Sequence, residues 1–327
     1  MTMTVKIALC GNLPAGTKEA FEAKLVGEDV AFVACQTAEE FEALSKADVI
    51  VLRTFKGPAP VFERVKGLKL LCRWGAGVDN VDLAAAAKHG VLVTNAPGAN
   101  AYSVAELAVT LMLNVGRNIM FHEKSVQSGV WSKSMFAKDA FTLNNKLVGI
   151  IGGGNIGRQV ATRVQAFGAK TQYFDVFRLK PEMEEKFNLK FVPLNELIRT
   201  SDIITLHVPL TPENRHMIGA EQIASMKKGA IVINTARGGL IDDVALANSV
   251  SDGHLKGAGL DCVEGEPLVA DSPLLGHPNI VITPHIGGTA ADVPDVMVPM
   301  IAETIRPLLH GGQVPHIVNQ KELDSLK

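Results

Sequence analysis

The sequence predicts an α/β protein built from two doubly wound parallel sheets. Three observations point there. Short runs of β-favouring residues alternate with helical stretches along most of the chain, the pattern of a parallel sheet with helical crossovers. The runs are nearly continuous in Val, Ile and Leu, as when helices cover both faces of a sheet. The chain has 327 residues, enough for two domains of roughly 150 residues each.

In chain order the first series is VKIALCG, DVAFVAC, ADVIVLRT, LKLLCRWG and VLVTN, with helical segments near 17–26, 38–45, 60–66 and 82–88 between them. The turn Asn95-Ala96-Pro97-Gly98 follows. Beyond it a helix is predicted over 103–120, opened by a capping box in which Ser103 and Glu106 have S-x-x-E spacing. Leu107, Leu111 and Val115 share one face of this helix, and Val104, Ala108 and Leu113 widen it, which suggests burial between domains or subunits. A second series begins at LVGIIGGGNIG and runs through AKTQYFD, LKFV, DIITLHV, AIVINTA, AGLD and NIVITPH. The polar tail NQKELDSLK is expected to fray.

Composition narrows the function classes. Apolar residues make up 47% and charged residues 20% of the chain, which is ordinary globular usage. Lys plus Arg number 32 against 34 Asp plus Glu, for a formal charge of -2, so nothing favours nucleic acid or an anionic membrane as partner. No apolar run approaches the roughly 20 residues of a membrane helix. The start MTMTVKIALC lacks the pattern of a signal peptide, and a cytoplasmic protein is expected. Cys10, Cys35, Cys72 and Cys262 are scattered without a C-x-x-C pair and read as buried free thiols.

Gly152, Gly154 and Gly157 have G-x-G-x-x-G spacing between the run LVGII and the helical stretch RQVATRVQAFG. The first permits a tight turn, the second a close approach to a pyrophosphate, and the third close packing of helix on strand. Backbone N–H groups at the helix start then face the phosphates. Glycine-rich turns after strands are common without a ligand, so context decides. Asp175 ends the next apolar run, where a carboxylate accepts hydrogen bonds from an adenosine ribose. A 2′-phosphate would meet like charge there, at up to about 4 kcal/mol near a surface. The expected cofactor is therefore NAD rather than NADP, in a Rossmann-like domain. Arg178 is a nearby cation that works against this preference.

Arg237 in INTARGGLIDD, Asp261 and Glu266 in GLDCVEGEP, and His285 in ITPHIGG stand at the ends of later strands. Ligands of open α/β sheets bind beyond those ends. Reducing a 2-keto acid by hydride needs a cation for the carboxylate and the carbonyl oxygen, and an acid to protonate the new alkoxide. Arg237 and His285 suit these tasks, and Glu266 suits the carboxylate that favours a protonated imidazole. Singly, each has an ordinary alternative: a surface turn for Arg237, a strand end for His285, an exposed loop acid for Glu266. His207 lies in an apolar run and reads as a packed imidazole, while His216 carries no comparable weight. No His or Cys pair has metal-ligand spacing, so no metal is expected.

The strings RWGAGVDNVD, SVAELAVTLML, VGIIGGGNIGRQVA, INTARGGLIDD, GLDCVEGEP and TPHIGG occur in this order. As a set they resemble the D-isomer-specific 2-hydroxyacid dehydrogenases, from residue 5 to about 319. Within that family the chain looks most like phosphoglycerate dehydrogenases that lack a C-terminal regulatory domain. The resemblance implies that Arg237 binds substrate, that Glu266 pairs with histidine, and that His285 is the general acid/base. It places Asp261 on the nicotinamide side, with Asn155, Ile156, Asp175, Val208, Thr235, Ala236 and Gly287 lining the rest of the cofactor site. It implies a cofactor domain over 100–287, inserted into a discontinuous substrate domain of 1–99 and 288–327, and a homodimer built on the long connecting helix. The turn Gly75-Ala76-Gly77 matches the place where family amides hold the substrate carboxylate, and glycines there let closely spaced N–H groups converge on an anion. Arg53 and Arg73 match arginines of members that act on phosphoglycerate, so a phosphorylated substrate is favoured.

Two features depart from the family pattern. Cys262 and Val263 replace the usual Val-Phe after the aspartate. Pro294 and Pro299 fall where relatives have a continuous helix, and an interruption is expected. The expected function is hydride transfer between C2 of a D-2-hydroxy acid and NAD, 3-phosphoglycerate dehydrogenase-like, with a hydroxypyruvate or glyoxylate reductase as the enzymatic alternative. An NAD(H)-sensing corepressor is the alternative from another class.

Overall fold

The computed structural model describes residues 4–135 and 137–326. The chain divides into two compact units, Met1–Asn100 with Ala290–Lys327, and Ala101–Thr289. The first holds strands β1 (Val5–Cys10), β2 (Val30–Cys35), β3 (Val49–Leu52), β4 (Leu70–Arg73) and β5 (Leu92–Thr94). They form one sheet in the order β2-β1-β3-β4-β5, with every pair parallel. Order reverses between β1 and β3, whose carboxyl ends carry Asn12 and Arg53.

The second unit holds β6 (Leu147–Ile151), β7 (Lys170–Phe174), β8 (Lys190–Phe191), β9 (Ile203–Leu206), β10 (Ile231–Asn234), β11 (Gly257–Leu260) and β12 (Ile280–Ile282). Their order is β12-β11-β10-β9-β6-β7-β8, again all parallel. The reversal lies between β6 and β9, which is where a doubly wound sheet opens a crevice. The apolar runs are continuous because both faces are covered. Along β10, Ile231 and Ile233 pack with Met112, Val148 and Val160 on one side, and Val232 packs with Leu197, Leu206 and Leu246 on the other.

Three expectations about elements are corrected. The helix expected over 103–120 runs Ala101–Arg117 and stops at Asn118, which adopts a left-handed φ of 52°. A second helix, Ile119–Gln127, leaves at 62° to it. Ser103 lies inside the first turn, and its Oγ donates to Gly287 O at 2.7 Å, so it forms no capping box. The wide apolar face of Ala101–Arg117 is covered within its own unit, by β10, β11, β12 and the helix Asn155–Ala166.

Val293–Leu309 is one helix of 17 residues despite its prolines. Pro294 occupies the first turn, where a missing N–H breaks no intrahelical bond. Pro299 lies inside, at a cost of about 3 kcal/mol, and burial of Met297, Val298, Ile301 and Ile305 offsets it. Lastly, the tail is anchored. Asn319 is fully buried, its Nδ2 donating to Val91 O at 3.0 Å and its Oδ1 accepting from Val93 N–H at 2.9 Å. The short helix Gln320–Asp324 then packs on Leu83–Lys88.

Candidate active site

The glycine loop joins β6 to the helix Asn155–Ala166. Gly152 has φ 107°, and a Cβ there would lie 2.6 Å from His207 O at the end of β9. A Cβ on Gly157 would lie 2.0 Å from Gly152 O, so only glycine lets the helix sit this close to the strand. Gly154 differs: it is the N-cap, and a Cβ would meet nothing within 4 Å. The backbone there faces open space at a helix N-terminus, as a phosphate cradle requires. Asn155 and Ile156 form the first turn, Ile156 partly buried against the core. Arg158 braces the loop, donating to Gly153 O at 2.7 Å and Asn155 Oδ1 at 2.8 Å.

Asp175 follows β7, its Oδ2 accepting from Gly153 N–H at 2.8 Å and its Oδ1 from Phe177 N–H at 3.0 Å. The acid is thereby fixed beside the loop. Arg178, the cation that would ease a 2′-phosphate, is engaged elsewhere. Its Nε and NH2 donate to the two Glu184 oxygens at 2.8 and 3.0 Å. The Arg178 guanidinium and the Tyr173 hydroxyl hold the Glu184 carboxyl down at about 2. Val208, after β9, packs partly buried on the core near Gly152. Thr235 and Ala236 follow β10 and are buried, and Thr235 Oγ1 has no hydrogen-bond partner. An open glycine cradle after β6, a fixed carboxylate after β7 and an orphaned hydroxyl after β10, on the two sides of the β6/β9 reversal, fit a dinucleotide.

His207 is packed as expected: its Nε2 lies 2.9 Å from Thr205 Oγ1, and burial pushes its pKa down to about 3.

The ionisable set comes from the loops after β10, β11 and β12. Asn234, which sequence reasoning passed over, shapes the first loop. Its Nδ2 donates to Arg237 O at 2.8 Å and its Oδ1 accepts from Ala236 N–H at 3.0 Å. Arg237 NH1 donates to Ala236 O at 2.6 Å. The glycine after Arg237 is required by close packing, since a Cβ on Gly238 would fall 1.9 Å from Val263 O.

Asp261 is 2% exposed and organises the third loop. It accepts from Thr283 Oγ1 at 2.6 Å, Ile286 N–H at 2.8 Å and Gly287 N–H at 2.8 Å. A Cβ on Gly287 would approach Asp261 Oδ2 to 2.9 Å, which explains glycine there. His285, left-handed at φ 54°, donates its own N–H to Asp261 O at 3.0 Å and Thr283 O at 2.9 Å. Its Nδ1 lies 2.8 Å from Glu266 Oε2.

The Glu266 hydrogen bond and charge raise the His285 pKa above the usual histidine value, outweighing desolvation and the Arg237 charge. Burial works against the Glu266 carboxylate. The hydrogen bond to His285, with the charges of His285 and Arg237, nevertheless holds its pKa below the ordinary glutamate value. Arg237, Glu266 and His285 thus form one electrostatic group.

His216 turns out to support this group. Its Nε2 lies 2.8 Å from Glu264 Oε2, and Arg215 pairs with Glu264 Oε1. With Asp243 accepting from Glu264 N–H at 3.1 Å, the loop carrying Glu266 is pinned at its start. No spacing in the sequence marks these partners.

In the first unit, Arg73 ends β4 and donates to Asn80 Oδ1 at 3.0 Å, Leu52 O at 2.8 Å and Arg53 O at 2.5 Å. Arg53, just past β3, bonds through NH1 to Asn12 O, and burial lowers its pKa from the ordinary arginine value. Gly75 has φ 128°. Its carbonyl accepts from Ala96 N–H at 3.0 Å, and Ala76 O accepts from Asn95 Nδ2 at 2.7 Å, so the Gly75-Ala76-Gly77 turn is tied to the segment after β5.

The profile of the D-isomer specific 2-hydroxyacid dehydrogenase, NAD binding domain, matches residues 109–287. The chain belongs to this family. A D-3-phosphoglycerate dehydrogenase of Methanocaldococcus jannaschii is 41% identical over 309 residues, 92% of this chain and 58% of that protein. A glyoxylate reductase of Korarchaeum cryptofilum is 36% identical over 286 residues, 86% of this chain and 85% of that one. The crystal structure of a glyoxylate reductase from Paecilomyes thermophila superposes with a TM-score of 0.83 at 28% identity, covering 98% of this chain and 100% of the other. The chain thus spans little more than half the length of the phosphoglycerate dehydrogenase it matches and most of the reductase.

Proposed function

We propose that this chain is an NAD-dependent dehydrogenase that moves a hydride between C2 of a D-2-hydroxy acid and the nicotinamide. The observation that carries this reading is the 2.8 Å contact of His285 Nδ1 with Glu266 Oε2, set within the field of Arg237. NAD held by Gly152, Gly154, Asn155, Ile156, Gly157, Asp175, Val208, Thr235, Ala236, Asp261 and Gly287 supplies the hydride acceptor or, reduced, the donor. With Nδ1 committed to Glu266, Nε2 is the nitrogen that meets the substrate oxygen. In oxidation neutral His285 takes the C2 hydroxyl proton, and the Glu266 carboxylate stabilises the imidazolium. In reduction that imidazolium returns the proton to the carbonyl oxygen. Arg237 holds the substrate carboxylate. Asp261 accepts three hydrogen bonds and has about one acceptor place left, so most of its role is to fix the turn that carries His285.

A 3-phosphoglycerate-type substrate is the favoured one. The phosphoglycerate dehydrogenase relative and the arginines at the ends of β3 and β4 support it, with Arg53 meeting the substrate and Arg73 holding the Arg53 carbonyl. The Gly75-Ala76-Gly77 amides are assigned to the substrate carboxylate. A glyoxylate or hydroxypyruvate reductase is the second reading, supported by the 36% identity to a glyoxylate reductase. The four free cysteines are all buried, which suits a reducing compartment, and the cytoplasm is the proposed location. Among the described residues no single helix is long and apolar enough to cross a membrane, and neither nucleic acid nor membrane is proposed as partner. A homodimer is proposed instead, through the exposed apolar side chains Ile119, Met120, Val126, Val130 and Trp131.

The test is NADH oxidation with 3-phosphohydroxypyruvate, hydroxypyruvate, glyoxylate and pyruvate. Turnover of at least one is expected, with His285→Ala lowering kcat by about 10²–10⁴. NADH binding with no turnover that His285→Ala abolishes would overturn the enzyme reading in favour of a cofactor-sensing role.

A further inference from the structure

The residue that departs from the family pattern lies beside the acid/base pair. Cys262 Sγ, a Glu266 carboxylate oxygen and a His285 ring nitrogen all lie within 4.8 Å of one another. We propose that Cys262, Glu266 and His285 form a site for a thiophilic divalent cation of the Zn²⁺ type, and that the cation inhibits by drawing His285 Nδ1 away from Glu266.

One thiolate, one imidazole and one carboxylate, with the fourth position left to water, is a tetrahedral donor set that zinc accepts. Zinc bonds of roughly 2.0–2.3 Å need modest side-chain rotations from the present spacing. The chief change is opening of the 2.8 Å contact between His285 and Glu266, and that contact is the catalytic one. Glu266 and His285 are partly exposed, so a cation can enter from solvent, whereas Cys262 is buried and forms the floor. The soft sulfur donor disfavours Mg²⁺ and Ca²⁺.

The charge balance permits a cation despite the nearby guanidinium. Asp261, Glu266 and a Cys262 thiolate carry three negative charges against one positive on Arg237. In the metal-free protein the thiol stays protonated, because burial and the Asp261 and Glu266 charges raise its pKa, and Sγ donates to Ala236 O at 3.4 Å. Binding therefore releases the thiol proton to solvent as the metal–sulfur bond forms, and a protonated His285 also gives up its Nδ1 proton to solvent, the ring keeping its hydrogen on Nε2; no electron is transferred.

The experiment uses the full chain with Co²⁺ as spectroscopic probe and Zn²⁺ as ligand, and with Cys262→Val and Cys262→Ser beside the wild type. The expected result is a thiolate-to-Co²⁺ charge-transfer band in the wild type alone. Calorimetry should show Zn²⁺ affinity falling at least about tenfold in both variants, since loss of a ligand costs no less than the roughly 10–100-fold lost with a ligand's supporting partner. Keto-acid reduction should be inhibited by Zn²⁺ and restored by a chelator in the wild type, while Cys262→Val keeps its metal-free rate and resists the cation. Absence of the sulfur band, or equal Zn²⁺ affinity in wild type and in whichever variant folds, would overturn the site. The inhibition step rests on the dehydrogenase reading, but the spectrum and the calorimetry need no substrate. Failure of the site and failure of that reading are therefore distinguishable.

Discussion

His285 acquires its chemistry from three neighbours: Asp261 sets its backbone, Glu266 its ring, and Arg237 the field around both. Because the folded pKa of His285 is raised, the stabilisation from its protonated form is complete below the usual histidine value of about 6.5 and is lost as pH rises through the folded value. The Glu266 side has the opposite sign, since its folded pKa is lowered. That contribution is present above the usual glutamate value and is lost as pH falls through the folded one. The expected kinetic result is a keto-acid reduction rate that declines as pH rises through the raised His285 pKa. Glu266→Gln should move that decline to lower pH, and a pH profile of kcat/KM checks it. Asp175→Ala should narrow the preference for NADH over NADPH, measured as the ratio of kcat/KM values, because it removes the charge that a 2′-phosphate would meet. These residues were picked out in the sequence by types that suit hydride transfer and by the family resemblance that gave each its proposed role. Asn234, His216 and Glu264 were not, since their roles depend on which loops meet after folding.

Strands were the legible elements and helix ends were not. A parallel strand covered on both faces is apolar at nearly every position, so runs such as Ile231-Val232-Ile233 in β10 show directly in the sequence. Helix starts and stops depend on tertiary partners. Ser103 had the spacing of a cap, yet Gly287 O took its hydroxyl. Pro299 had the mark of a helix breaker, yet Met297, Val298 and Ile301 had apolar surface to bury. The segment around Asn319 shows the same thing at the end of the chain: a polar tail sequence conceals one buried amide that satisfies two backbone groups near β5. Asn319→Ala should leave Val91 O and Val93 N–H unpaired. At about 1–3 kcal/mol for each buried group, a loss of roughly 2–6 kcal/mol is expected, read from the urea midpoint at constant m-value. A change under about 0.5 kcal/mol would mean that water or a neighbour replaces the amide.

At the scale of the whole molecule, two parallel sheets followed from alternation and length, whereas the surface proposed to pair copies could not be read the same way. The long helix Ala101–Arg117 was the sequence-level candidate for subunit contact, but its apolar face is consumed by its own sheet. The surplus apolar surface lies one element later, where Ile119, Met120, Val126 and Val130 are exposed and Trp131 is 79% exposed. Isolated exposed apolar residues are ordinary, but five within one short segment are more than scattered surface usage, and an indole is a frequent interface anchor. A stable dimer typically buries about 1,600 Å² in total, so loss of two large side chains from this segment should be decisive. Met120→Glu with Trp131→Glu is expected to convert a dimer into a monomer in sedimentation velocity at micromolar concentration, with far-UV circular dichroism unchanged. A wild-type chain that sediments as a monomer, or a variant that remains dimeric while folded, would move the contact elsewhere or abolish it.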